Sequence, residues 1–262
     1  MASELLNRGA NIEARRTGGV TPLHDAAASG LETMVTFLLE NGADKEARTH
    51  IGQTPLLVAT QEGNQGAVRA LLHVGAHIEV FDSVGSNVLH TAAQRSQSEI
   101  MALLLADPMT ARILNTGNRN KETPLHRATL WGSTACARML LEHGADPDLA
   151  DDLGLAPLSA ALAYRNFEIA HMLVVGYKAD PKHLAASGDT VMHALAFFGR
   201  AEHIHTLLSW GIDPLSRNRY RETALQNAVR HNHISFVRAF LAEVPSQDFS
   251  QKNGSDKLLA GV

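Results

Sequence analysis

The chain has 262 residues, with 23 Lys and Arg against 27 Asp and Glu for a formal net charge of −4, and is 45% hydrophobic and 19% charged. That composition excludes a disordered chain and argues against a general nucleic-acid binder, and no apolar run approaches the roughly 20 residues that span a bilayer. The single cysteine, Cys136, cannot form an internal disulfide, and MASELLNRGA has no secretory pattern, so the expected location is intracellular, in cytoplasm or nucleus.

Along the chain one phrase returns. TPLHDAA starts at Thr21, TPLLVAT at Thr54, NVLHTAA at Asn87, TPLHRAT at Thr123, APLSAAL at Ala156, TVMHALA at Thr190 and TALQNAV at Thr223. The spacing is constant except for two longer intervals, Asn87 to Thr123 with three extra residues and Ala156 to Thr190 with one. An apolar pair recurs at a fixed offset from each start, as in Leu38-Leu39 and Leu71-Leu72, and a Gly-Ala-Asp-like turn follows it in most copies.

Each phrase has a mechanical reading. Thr can cap a helix, Pro at the first helical position has its φ already set, and Leu with the two following alanines makes a narrow apolar stripe. Gly30, Gly63, Gly132 and Gly199 suit the left-handed residue that ends that helix. A second helix such as 31–40 stops at Gly42, and the polar stretch 44–53 suits a projecting hairpin. The unit is therefore helix, turn, helix, hairpin loop.

TPLH-x-A with a period of 33 resembles the ankyrin repeat family over about residues 4–244. The resemblance implies an all-α ankyrin-repeat solenoid with seven full or near-full repeats and one partial N-terminal repeat. The expected boundaries are a partial repeat at 1–14, repeats at 15–47, 48–80, 81–116 (with a three-residue insertion), 117–149, 150–183, 184–216 and 217–244, and a polar, disordered tail at 245–262. Residues 4–10 align with 37–43, inside a second helix, which reads as a fragment of a longer array. Ala156 lacks a capping side chain and Arg221 replaces the turn glycine of Gly19 and Gly52, which weakens repeats five and seven. Pro108 and the three extra residues leave the shape of the loop after repeat three open.

No catalytic constellation is present: there is no phosphate-binding glycine loop, HExxH, CxxC or GxSxG. The chain therefore reads as a non-enzyme with no cofactor and no metal. His24, His90, His126 and His193 share one slot of the repeat, and the resemblance implies that they bond Thr and backbone groups between repeats. The His203–His205 and His231–His233 pairs are spaced i, i+2, which puts them on different helix faces. His203 falls in an apolar column, and Cys136 reads as buried and inert.

The variable positions carry the functional signal. Two residues follow the alanines of each first helix, and in ankyrin proteins these and the hairpin tips line a concave face. The second column runs Ser29, Glu62, Arg95, Trp131, Tyr164, Phe198, His231, and the first includes Leu130 and Phe197. Hairpin tips add Arg119, Arg219, Tyr220 and Arg221. Trp, Tyr and Arg dominate many interfaces, and arginines favour acidic partners. The expected function is thus a protein–protein interaction scaffold binding a partner protein or peptide, one with acidic residues, along the concave face of repeats four to seven. It would act as a monomer, without nucleic acid and without membrane insertion. The alternatives are a regulatory or targeting domain of a larger receptor, enzyme or effector, and, more remotely, a small-molecule or catalytic protein using the aromatic groove and His231. An open groove suits chemistry poorly, because catalysis favours a water-excluding pocket.

Overall fold

The computed structural model describes residues 10–244, in two compact units divided between Asp151 and Asp152. Residues 1–9 of the partial repeat expected at 1–14, and the tail at 245–262, lie outside the described residues.

The first unit is built of helix pairs: α1 (Pro22–Ala28) with α2 (Glu32–Glu40), α3 (Pro55–Glu62) with α4 (Gln65–His73), α5 (Val88–Gln94) with α6 (Ser98–Leu105), and α7 (Pro124–Trp131) with α8 (Thr134–Glu142). First helices stack on one another, α1 on α3, α3 on α5 and α5 on α7, and the second helices form a parallel row. Small residues make the close approach possible: Ala26, Ala27, Ala59, Ala92, Ala93 and Ala128 are all buried. Val35, Leu38, Val68, Leu71, Met101 and Leu104 fill the layer beneath the second helices.

The second unit repeats the plan with α9 (Pro157–Ala163), α10 (Phe167–His171), α11 (Val191–Phe197), α12 (Ile204–Ser209), α13 (Ala224–Arg230) and α14 (Ile234–Glu243). Among the described residues the only extended pairing is two isolated bridges, Arg16 with Val20 and Arg217 with Thr223, at the base of hairpins.

The seams between repeats are stapled by the histidines. Thr21 donates its amide and hydroxyl to His24 Nδ1, at 3.3 and 2.8 Å. The far nitrogen, Nε2, lies 3.0 Å from the Gln53 carbonyl of the next repeat. A carbonyl can only accept, so Nε2 carries the ring proton and Nδ1 is the acceptor. His90 reaches the Glu122 carbonyl at 2.8 Å and His193 the Glu222 carbonyl at 2.9 Å in the same way. Each such bond contributes on the order of 1 kcal/mol and leaves no buried ring nitrogen orphaned. Where the phrase departs, the staple is lost: Leu57 and Ser159 occupy the slot in repeats two and five, and Ala156 makes no side-chain cap.

Both insertions find a local solution. After α6, Asp107 accepts the Met109 amide at 2.9 Å and caps a 3₁₀ helix, Pro108–Arg112, which absorbs the three extra residues. The single extra residue of repeat five is taken up inside its second helix, where Met172–Gly176 forms a π-helical turn. Lys178 consequently falls where other repeats place Gly42, Gly75 or Gly211, and it adopts φ +61°. The left-handed conformation is unfavourable for a residue with a Cβ. Lys178→Gly is therefore expected to raise unfolding free energy by about 0.5–1 kcal/mol, measured by urea titration.

Burial pushes His90 down to about 4, opposed by its bond to the Glu122 carbonyl, and His24 is lowered for the same chief reason. The folded ring thus holds a proton less well than the unfolded one, whose pKa is about 6.5. Its contribution is complete above pH ~6.5 and is lost as pH falls toward 4, a change on the order of 3 kcal/mol. Urea unfolding between pH 7 and 4 should show that loss in the parent chain and a distinctly shallower one in His90→Gln.

Candidate functional site

In the first unit, Trp131 closes α7 and is 55% exposed, with Leu130 half-buried before it and Gly132, at φ +68°, ending the helix. The hairpin preceding α7 is shaped by Asn118, whose Oδ1 accepts the amides of Asn120 and Glu122 at 2.9 and 3.1 Å. Arg119 stands exposed at its tip, while its backbone amide bonds the Val84 carbonyl of the previous hairpin at 3.0 Å.

In the second unit the aromatic positions meet. Tyr164 and Phe198 follow the last turns of α9 and α11, and Phe197 ends α11. Ring centroids lie 6.3 Å apart for Tyr164–Phe198, 5.0 Å for Phe197–Phe198 in an edge-to-face arrangement, and 4.6 Å for Phe197–His231. His233 extends the run at 6.1 Å from His231, and its Nε2 donates to the Phe197 carbonyl at 2.8 Å. Tyr164 is 56% exposed, Phe197 48% and Phe198 39%. These rings therefore touch one another and still present much of their area to water. Pairs at these separations hold each other in place.

The hairpin before α13 has the same construction as the one before α7. Asn218 Oδ1 accepts the amides of Tyr220 and Glu222, and Arg219, Tyr220 and Arg221 are exposed. Arg221 adopts φ +60° and Lys121, its equivalent in the Arg119 hairpin, φ +58°. Gly19, Gly52, Gly85, Gly154 and Gly188 fill that position in the other hairpins with the same left-handed backbone. The turn survives the Arg221 replacement, and a basic side chain occupies a place where glycine is conformationally cheaper. Beside the rings, Arg230 pairs with Glu222, and Arg165 pairs with Glu202 at 2.7 Å.

Lys121, His233 and Arg165 were not among the residues expected from sequence. The alignment of Lys121 with the turn glycines was a readable signal; the placement of the other two depended on coordinates.

His203 is half-buried and stacks on Phe167. Burial lowers its pKa, against the pull of Glu202 and with the push of Arg165. Cys136 is buried, and desolvation raises its thiol to about 11, far from a thiolate at neutral pH. An open depression of about 220 Å³ lies at the other end of the first unit, lined by Arg15, Arg16, Val20 and Asp25 among others, and contains none of the candidate residues. No helix among the described residues is long and apolar enough to cross a membrane.

The family model described as ankyrin repeats, in three copies, matches residues 1–82, 46–115, 81–151 and 158–253. The chain belongs to the ankyrin repeat family. The fold is an all-α ankyrin solenoid, and the crystal structure of the human ASB11 ankyrin repeat domain is similar to it with a TM-score of 0.74 and 26% identity, over 86% of this chain and 99% of that one. Among curated proteins, the E3 ubiquitin-protein ligase KEG of Arabidopsis thaliana is 28% identical over 54% of this chain and 9% of its own length. NF-kappa-B inhibitor alpha of Mus musculus is 31% identical over 38% of this chain and 33% of its own length. The chain thus spans only a small part of the curated relatives it matches. Ankyrin repeats are, as a family, generally non-catalytic modules of protein–protein interaction.

Exposure separates the candidate rings from the core. Tyr164→Ala and Phe198→Ala should leave the thermal midpoint within a few degrees of the parent. Phe236→Ala, which empties a fully buried position, should cost about 3–5 kcal/mol. Differential scanning calorimetry of the three variants checks this.

Proposed function

We propose that the chain binds a partner protein or peptide along the concave face of its C-terminal repeats, four to seven. The observation that carries this reading is the run of mutually contacting yet half-exposed rings Tyr164, Phe198, Phe197 and His231. Trp131 stands at the equivalent position of the repeat before Tyr164, with Leu130 beside it, and is included on that register. Preorganised aromatic side chains bury a large area at little loss of rotamer freedom, which suits an anchor.

Arg119, Arg219, Tyr220 and Arg221 would orient the partner. The support is electrostatic and conformational. The tips are exposed, and Lys121 and Arg221 keep positive charge at backbone positions that favour glycine. A partner with acidic residues answers that charge. The chain would work without a cofactor, within the cell, in the cytoplasm or nucleus, as a monomer or as the interaction domain of a longer protein.

Affinity capture from native cells followed by titration tests this. Trp131→Ala, Tyr164→Ala and Phe198→Ala should each weaken partner binding by about 1–3 kcal/mol while the variants melt normally. Arg221→Gly gives a sharper expectation, because it should stabilise the fold and weaken binding together. Unchanged affinity in all four would place the interface elsewhere.

A further inference from the structure

Two hairpin corners of the first unit carry side chains that the turn itself does not favour. The Gly52 amide bonds the Thr49 carbonyl at 2.9 Å and the Gly85 amide the Asp82 carbonyl at 3.0 Å, which closes β-turns at 49–52 and 82–85. Ile51 and Val84 are the third residues of those turns, and neither has a positive φ, so the turns are of type I. That corner sits near φ about −90° and ψ about 0°, away from the extended backbone that β-branched side chains favour. Asn120 fills the same corner in the hairpin before α7, with the Lys121 amide on the Asn118 carbonyl at 2.8 Å, and Gly18 fills it in the first hairpin. Ile51 is nonetheless 55% exposed and Val84 49%.

The two residues are neighbours, unlike apolar side chains scattered singly over a surface. The Ser83 amide bonds the Ile51 carbonyl at 2.8 Å and the Arg119 amide the Val84 carbonyl at 3.0 Å, so three hairpins stand side by side. Both corner carbonyls are thereby satisfied, and recognition at this edge falls to the side chains. The apolar pair leads into a cationic end. Arg119 and Lys121 are exposed on the third of these hairpins and form no ion pair among the described residues. The ridge belongs to the first unit and the run of rings to the second, so neither needs the other.

We propose that Ile51 and Val84 form a second docking ridge, which takes a short segment of a partner protein bearing aliphatic side chains with a carboxylate beside them. The aliphatic groups cover the two corners, and the carboxylate meets Lys121 and Arg119. Arg119 serves both this reading and the one above, whereas Ile51 and Val84 belong to this one alone. An anionic membrane surface fits less well, because the Asp82 carboxylate stands in the same turn as Val84. Its Oδ1 accepts the Val84 and Ser86 amides at 2.9 Å each.

Selection of displayed random peptides on the full chain, followed by titration of a selected synthetic peptide against variants, tests this. Ile51→Asn and Val84→Asn each put a turn-forming residue at the corner, as Asn120 does, so both should melt within a few degrees of the parent. The selection should enrich peptides that combine aliphatic and acidic side chains. Each Asn variant should bind them about tenfold more weakly, while Tyr164→Ala binds them as the parent does. Loss in Tyr164→Ala with Ile51→Asn unchanged places the peptides on the rings, which overturns the ridge and leaves the earlier reading standing. Absence of such peptides, or equal affinity in all chains, also overturns it. So does a marked fall in the thermal midpoint of the Asn variants, because the two side chains are then packing. Vesicles of phosphatidylserine and phosphatidylcholine form the last arm. Co-sedimentation of the parent chain that Ile51→Asn abolishes makes the occupant a membrane and overturns the proposal.

Discussion

The hydrogen bond from a buried histidine to the carbonyl of the next repeat ties local structure to the stack. One side chain caps its own helix through Nδ1 and fastens the neighbouring hairpin through Nε2. In the stapled repeats the helix start and the inter-repeat seam are therefore one feature, whereas Thr54 caps its helix alone where Leu57 fills the histidine slot. Repeats of this kind depend on near neighbours, so stability is distributed seam by seam. The seam of α3 with α5 lacks the staple because Leu57 replaces His, and that of α9 with α11 lacks it because Ser159 does. Those joints rely on apolar burial and on the hairpin bonds, from the Ser83 amide to the Ile51 carbonyl and from the Ala186 amide to the Leu153 carbonyl.

The framework fixes which positions are free for other work. Alanines, the cap residue and the histidine are committed to packing. The residues at the ends of first helices and at hairpin tips are not, and there the side chains change along the chain from polar to aromatic. Tyr164, Phe198, Phe197 and His231 support one another through ring contacts while remaining open to water. Lys121 and Arg221 hold a left-handed backbone without glycine. These features add no evident stability and are consistent with an interface.

Much of this was legible in the sequence, because the repeat restates each structural instruction several times. The helix starts, the histidine slot and the buried Cys136 all follow from period and phrase. What was not legible concerns places where several local solutions satisfy the same count. The lengthened interval from Ala156 to Thr190 says that one residue is extra, but only the coordinates put it in the π-helical turn at Met172–Gly176. The three extra residues after α6 could have lengthened a loop, and instead form a capped 3₁₀ helix. Contacts among the rings depend on side-chain direction, which spacing does not give.

The most direct measurement of the staple's importance is native-state hydrogen exchange at single-residue resolution as denaturant is raised. If the histidine bond sets the strength of each seam, α1–α3, α5–α7 and α11–α13 should open together at high denaturant, and the joints at Leu57 and Ser159 should open first. Uniform protection, or earliest opening at a histidine-stapled joint, would contradict it.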